Sequence, residues 1–213
     1  KKWLFSLKSS FSMAESQKRR IYLGGSLLLG NAFLLRNMAR AESRQVIRPP
    51  GARSESIFKT LCARCGNCMK ACPTQIIVPS LGSGDIMSVL SPQIRFHQSY
   101  CLPDCTLCGS VCPSGAIHPF SVEDKKQLVM GKAIIDQDNC LLRKNEECDL
   151  CKTYCDYDAI KIKQSEFDFS AYPVILDDYC VGCGACEIIC PVQVIRIEID
   201  SHRIESYELQ KGF

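Results

Sequence analysis

Sixteen cysteines fall into four sets of four, each closing on Cys-x3-Cys, and no cysteine lies outside them. The sets are Cys62, Cys65, Cys68 and Cys72; Cys101, Cys105, Cys108 and Cys112; Cys140, Cys148, Cys151 and Cys155; and Cys180, Cys183, Cys186 and Cys190. Thiols this closely spaced commit the backbone to loops that wrap something. A disulfide framework has no need of four similar ligand loops, and near-adjacent pairs such as Cys65 and Cys68 suit it poorly. Zinc ribbons pair two C-x2-C knuckles, whereas these sets carry a third loop cysteine. No thiol is left over to act as a nucleophile.

The first and fourth sets read C-x2-C-x2-C-x3-C-P, the run that holds a cubane [4Fe–4S] cluster. At four thiolates per cluster, the inventory implies four [4Fe–4S] clusters. Three cysteines at x2 intervals wrap one cluster, and the x3 step starts a short helix that carries the fourth to the neighbouring cluster. Pro73, Pro113 and Pro191 are expected to stop that helix. Gly66, Gly109, Gly182 and Gly184 are expected to bind the cofactor by letting backbone approach inorganic sulfide. The second set is one residue longer at its start. The third has seven residues between Cys140 and Cys148, so 141–147 must bulge, and Asp156 stands where proline is expected.

The formal net charge of +3 hides an asymmetry. Residues 1–41 hold eight Lys/Arg and one acidic residue; residues 42–213 hold 18 basic and 22 acidic, a balance of −4. Anionic clusters deepen that balance, which argues against nucleic acid as a partner. The basic excess lies in Lys18-Arg19-Arg20-Ile21-Tyr22-Leu23, which resembles a twin-arginine signal. The apolar stretch 21–35 is short for a membrane span but suits a signal, and Ala39-Arg40-Ala41 supplies a cleavage site before Glu42. Met13 is a candidate start. An uncleaved membrane anchor is the alternative. Cluster insertion is cytoplasmic, and export in the folded state explains this route. The expected location is therefore periplasmic and membrane-associated.

After 1–41, residues 42–57 read as an extended connector around Arg48-Pro49-Pro50-Gly51-Ala52, 58–200 as the cluster-bearing body and 201–213 as a polar tail. Short β-type runs flank the sets: 94–96, 133–135 and 174–176 before them, and 76–78, 116–117, 160–162 and 192–199 after them. The order strand, cluster loop, helix, strand recurs about every 40 residues. The fold class expected is α+β, two βαββαβ modules like those of bacterial ferredoxins. The modules can lie in series, with Cys112 completing the Cys62/Cys65/Cys68 cluster. They can instead be nested, with Cys190 completing it; nesting is slightly favoured. Residues 79–91 and 164–172 read as loops, and 121–130 as a short helix capped by Ser121. His97, His118 and His202 are read as surface residues, since the ligand count is complete without them.

The twin arginines, A-R-A, R-P-P-G-A, C-A-R-C-G-N-C-M-K-A-C-P, C-P-S-G-A-I and D-Q-D-N-C-L together resemble the NapG/MauM group of ferredoxin-type proteins over about residues 18–200. The resemblance implies four [4Fe–4S] clusters and an accessory electron-transfer role in periplasmic nitrate reduction or methylamine utilisation. It also implies a membrane quinol dehydrogenase as donor and a periplasmic redox protein as acceptor.

A non-catalytic electron relay is thus the leading function. Nucleotide-binding glycine motifs and nucleophile–base pairs are absent from the sequence. The rivals are a catalytic subunit with an open iron site at the third set, and a scaffold whose clusters only stabilise an assembly.

Overall fold

Each cysteine set is followed by the same reversal of the chain. The carbonyls of Cys72, Cys155 and Cys190 accept from the N–H groups of Gln75 (3.2 Å), Asp158 (3.1 Å) and Gln193 (3.1 Å). The third residue after every set (Gln75, Gly115, Asp158, Gln193) has a positive φ of 54°, 69°, 50° and 52° respectively. Pro73, Pro113 and Pro191 hold the second position of these turns, where the ring's fixed φ is preorganised. The helices before them have already ended, at Ala71, Ser110 and Ile189. These prolines set the turn and also hold the preceding Cys72 and Cys190 extended, at ψ 113° each, so the helix cannot run on. Asp156 occupies the same position after the third set, and the turn survives without the ring.

The computed structural model describes residues 46–81, 86–166 and 170–200. The signal or anchor at 1–41, the tail at 201–213 and His202 lie outside the described residues. The first half runs α1 (Glu55–Leu61), α2 (Asn67–Ala71), β1 (Ile77–Pro79), β2 (Pro92–Ile94), α3 (Leu107–Ser110) and α4 (Val122–Lys125). The second runs β3 (Lys132–Ile135), α5 (Leu150–Thr153), β4 (Ile160–Gln164), β5 (Ala171–Ile175), α6 (Ala185–Ile189) and β6 (Ile195–Glu198). Three antiparallel pairs result: β1 with β2 (Ile77 opposite Ile94), β4 with β5 (Ile160 opposite Ile175) and β3 with β6 (Ile135 opposite Ile195). In the second half the inner strands pair with each other and the outer strands with each other. In the first half the outer pair shrinks to one bridge, Ala52 to Ile117.

Pairing between consecutive sets is incompatible with nesting. Strand β3, which leads into the third set, pairs with β6, which leaves the fourth, so sets three and four close on each other. Ala52 and Ile117 close sets one and two in the same way. The slightly favoured nested order is thus corrected to modules in series. The physical reason is local: each inner hairpin joins neighbouring sets directly, and short connections dominate.

Residues 46–57 are corrected too. The backbone from 46 to 53 is largely extended, yet Pro49 is fully buried and Ile94 N–H donates to Ile47 O (2.7 Å). Arg48 anchors the segment with bonds to both Glu55 oxygens (2.8 and 2.6 Å), Ser91 Oγ (2.8 Å) and Pro92 O (2.7 Å). Its guanidinium also stacks 4.6 Å from the ring centroid of Phe58, the most buried apolar side chain. So 46–57 belongs to the body, and α1 takes its last residues.

The core is in two parts. Phe58, Ile76, Ile77, Ile94 and Ile117 pack in the first half, and Ala133, Ile160, Ile195 and Ile197 in the second. Ile47, Phe96 and Tyr157 touch both. The capped helix is confirmed as α4: Asp124 N–H donates to Ser121 Oγ (3.0 Å), and Ser121 N–H donates back to Asp124 (3.3 Å). The two loops are less loose than expected, for Ser80, Ser88 and Ser91 are buried and the hairpin strands reach Gln164 and Ala171. The third set's extra residues fold into a 3-10 turn at Leu142–Lys144, closed by Asn145 at positive φ.

Candidate iron–sulfur centres

None of the 16 cysteines forms a disulfide. The turns and pairings above gather them into four quartets. Cys62, Cys65, Cys68 and Cys112 line one hollow, and Cys72, Cys101, Cys105 and Cys108 line another. In the second half, Cys140, Cys148 and Cys190 act electrostatically on Cys151, and Cys183, Cys180, Cys155 and, last, Cys151 act on Cys186. Each quartet draws three cysteines from one loop and the last cysteine of the neighbouring set. Short helices α2, α3, α5 and α6 make that exchange, since each carries its set's x3 step across the module.

The donor chemistry fits clusters better than single ions. Among the described residues, no three His, Cys, Asp or Glu side chains converge as ligands of one ion would. The thiols of the first two quartets line hollows, as a polynuclear centre requires. Burial, joined by neighbouring cysteines, pushes the Cys68 and Cys151 thiols up to about 11 and those of Cys108 and Cys183 up to about 12. Cys101 and Cys186 are pushed up by the same cause. Without iron such thiols stay protonated near neutrality, so metal uptake must displace protons. Cys112 goes the other way. Burial raises it, but the N–H of Ile117 (3.4 Å to Sγ) and the Ser114 hydroxyl outweigh burial and hold it low.

Backbone donors do approach the sulfurs: Ile117 N–H points at Cys112 Sγ, and Ala159 N–H at Cys155 Sγ (3.3 Å). Three of the glycines are also constrained by the protein around them. A Cβ on Gly182 would lie 2.5 Å from Gly131 O, and one on Gly184 would strike the Phe96 ring; both have positive φ. A Cβ on Gly109 would lie 2.6 Å from His118 O. Protein crowds all three, so close packing between segments also requires glycine there. Gly66 has no heavy atom within 4 Å of its Cβ position. His97 is exposed, and His118 is half-buried with its ring on Pro119 O.

Two residues at the site escaped the sequence reading. Tyr157 carries a buried hydroxyl with no hydrogen-bond partner, beside Cys183 and Cys101. Burial, then those cysteines, pushes its phenol up. An orphaned donor beside two thiols fits a bound cluster, whose sulfur would accept from it. The other is Lys125, buried to 1% exposure, whose ammonium donates to Leu102 O and to Cys105 O (2.6 Å). No local pattern marks either: both are distinguished only by what the turns bring near them.

The family model described as a 4Fe-4S dicluster domain matches residues 61–117, and a second of the same description matches 144–194. Ferredoxin-type protein NapG of Escherichia coli (strain K12) is 32% identical over 190 residues, covering 83% of this chain and 79% of that protein. Methylamine utilization ferredoxin-type protein MauM of Methylophilus methylotrophus is 31% identical over 202 residues, covering 88% of each. Ferredoxin-type protein NapF of Escherichia coli (strain K12) is 31% identical over 153 residues, covering 71% of this chain and 84% of that protein.

Proposed function

Because the chain belongs to the NapG/MauM group of ferredoxin-type proteins, iron–sulfur electron carriers, we propose that it relays single electrons through four [4Fe–4S] clusters from a membrane quinol dehydrogenase to a periplasmic oxidoreductase. The observation that carries this reading is the complete assignment of 16 cysteines to four quartets, with no thiol and no substrate-binding constellation left over among the described residues. When bound, the clusters supply reversible one-electron storage. The ligands would be Cys62, Cys65, Cys68 and Cys112; Cys72, Cys101, Cys105 and Cys108; Cys140, Cys148, Cys151 and Cys190; and Cys155, Cys180, Cys183 and Cys186. Strand and helix order in the second half supports two modules of the βαββαβ kind.

The residues around the quartets do the rest. Ile117 and Ala159 direct N–H groups at thiolate sulfur and so favour added negative charge there. Phe58 and the isoleucines of the first core exclude water beside Cys68 and Cys108. Cys65 is the one exposed cysteine, so the first quartet is where a partner's redox centre can approach closely. The third quartet has four cysteines like the others, which favours a closed ligand set over an open catalytic iron.

Export by the twin-arginine route, with the mature protein at the periplasmic face of the membrane, completes the reading. Among the described residues no helix is long and apolar enough to cross a membrane. Association would therefore run through the partner or through residues 1–41. Anaerobically purified protein should contain about 16 iron and 16 sulfide per chain and titrate as four reversible one-electron centres. Zinc, or a colourless protein with bridged sulfurs, would overturn the proposal. Changing Arg19 and Arg20 together to Lys should strand the protein in the cytoplasm on fractionation; unchanged export would overturn the targeting part alone.

A further inference from the structure

We infer that Lys125 is a fixed positive charge that makes the centre at the second quartet the first of the four to take an electron, an inference that rests on the relay function proposed above. Lys125 is the one charged side chain that is fully buried among the described residues. It sits at the end of α4, which the Ser121–Asp124 capping box holds in place. Its ammonium reaches into the second cysteine loop and donates to the carbonyls of Leu102 and Cys105. Its charge also acts on the sulfurs of Cys101 and Cys108. Both main-chain partners are neutral, and no carboxylate pairs with Lys125 among the described residues.

A buried ammonium costs several kcal/mol unless something negative compensates it. The ligand set beside it supplies that negative charge once metallated. Reduction by a one-electron donor, here a quinol dehydrogenase through a neighbouring centre, adds one electron and one unit of negative charge. No bond forms or breaks and no proton moves. Lys125 lies close enough to favour the reduced form, and low local dielectric strengthens its effect. The cation near the first quartet, Arg64, is exposed and bonded to the Val89 and Met87 carbonyls, so solvent screens it. Lys125 thus gives the second position in the relay a fully buried positive charge that no other position has among the described residues, and electrons come to rest there between donor and acceptor.

The test is an anaerobic redox titration followed by electron paramagnetic resonance on the full holoprotein, with iron and sulfide measured on each sample. Lys125→Met should lower the highest of the four potentials by at least a factor of ten in the reduction equilibrium, about 59 mV for one electron. The other three should stay in place, and Lys125→Arg should hold the wild-type value. Should Lys125→Met assemble short of iron, Lys125→Gln, which keeps a donor for Leu102 and Cys105 without the charge, carries the same expectation. An unmoved titration, or movement of a step other than the highest, overturns the inference and leaves the relay standing. Wild-type protein without reversible centres overturns both.

Discussion

The main-chain N–H of Cys101 donates to the carbonyl of Cys183 at 2.9 Å, joining a loop of the second quartet to a loop of the fourth. Tyr157 lies beside the same two cysteines, and Met130 N–H donates to Val181 O (2.9 Å) nearby. The quartets therefore neighbour one another as first, second, fourth, third, which differs from their order along the chain.

Exchange of each set's last cysteine makes ligand loss diagnostic. Cys112→Ser should remove or convert the centre held by Cys62, Cys65 and Cys68, and Cys190→Ser the one held by Cys140, Cys148 and Cys151. Each variant should retain about 12 of about 16 iron atoms if one cluster is lost outright. A Cys190→Ser protein that instead loses the centre at Cys62, Cys65 and Cys68 would restore the nested arrangement.

Gly182 and Gly66 both have positive φ, yet only Gly182 is crowded, by the carbonyl of Gly131. Gly66→Ala should cost about 1 kcal/mol from backbone conformation alone. Gly182→Ala should cost about 2 kcal/mol or more, since main chain must move as well. Denaturant midpoints for cluster bleaching would rank the two, and equal losses would refute the close-packing role.

Gln193 holds φ +52° in the turn after Cys190. Replacing it with glycine should relieve that conformation and stabilise the protein by about 0.5 kcal/mol, the relief being partly offset by a freer unfolded chain. The same midpoint measurement reads it; a loss of stability would mean that the glutamine side chain has a role of its own.

Tyr157→Phe deletes a buried hydroxyl that has no protein partner. Folding stability should change little, because no protein hydrogen bond is lost. The potential of the second or the fourth centre, whichever would accept the single phenol proton, should fall, while the first and third hold steady. Redox titration of the variant distinguishes this from a uniform shift, which would point to general loosening.

Glu55 connects stability to acidity. Burial raises its carboxyl, but the hydrogen bond and charge of Arg48, helped by Lys59, outweigh burial and hold it below the ordinary glutamate value. A depressed carboxyl stabilises the fold above its unfolded pKa, and that contribution fades as pH falls towards the folded one. With Glu55 42% exposed, the contribution should be on the order of 0.5 kcal/mol after solvent screening. Glu55→Gln should therefore be weaker than wild type at pH 7, and the gap should close as pH falls below the ordinary glutamate value and through the lowered folded one in denaturant melts.

Much of this was readable from spacing. The thiol inventory, the alternation of strands and loops and the Ser121 cap are local facts, and local rules recover them. Strands fell within about three residues of expectation because Ile-rich runs such as 160–162 state their periodicity plainly. The pairing of sets was not readable, since Cys112 and Cys190 carry the same C-P ending and only strand register separates them. Lys125 and Tyr157 were invisible for a related reason. A lysine on a polar-looking helix reads as solvated, and its burial depends on where the loop at 102–105 happens to turn. Pro49 misled in the opposite direction, because a P-P-G run looks like a linker until Arg48 pins it.

On the proposed relay, the link between Cys101 and Cys183 would join the two modules into one circuit. Current through such a circuit is governed by its slowest junction, and the Cys101–Cys183 junction is the one formed between modules and not within one. In that relay, variation that loosens this seam would slow passage from one module to the other even with every iron atom in place.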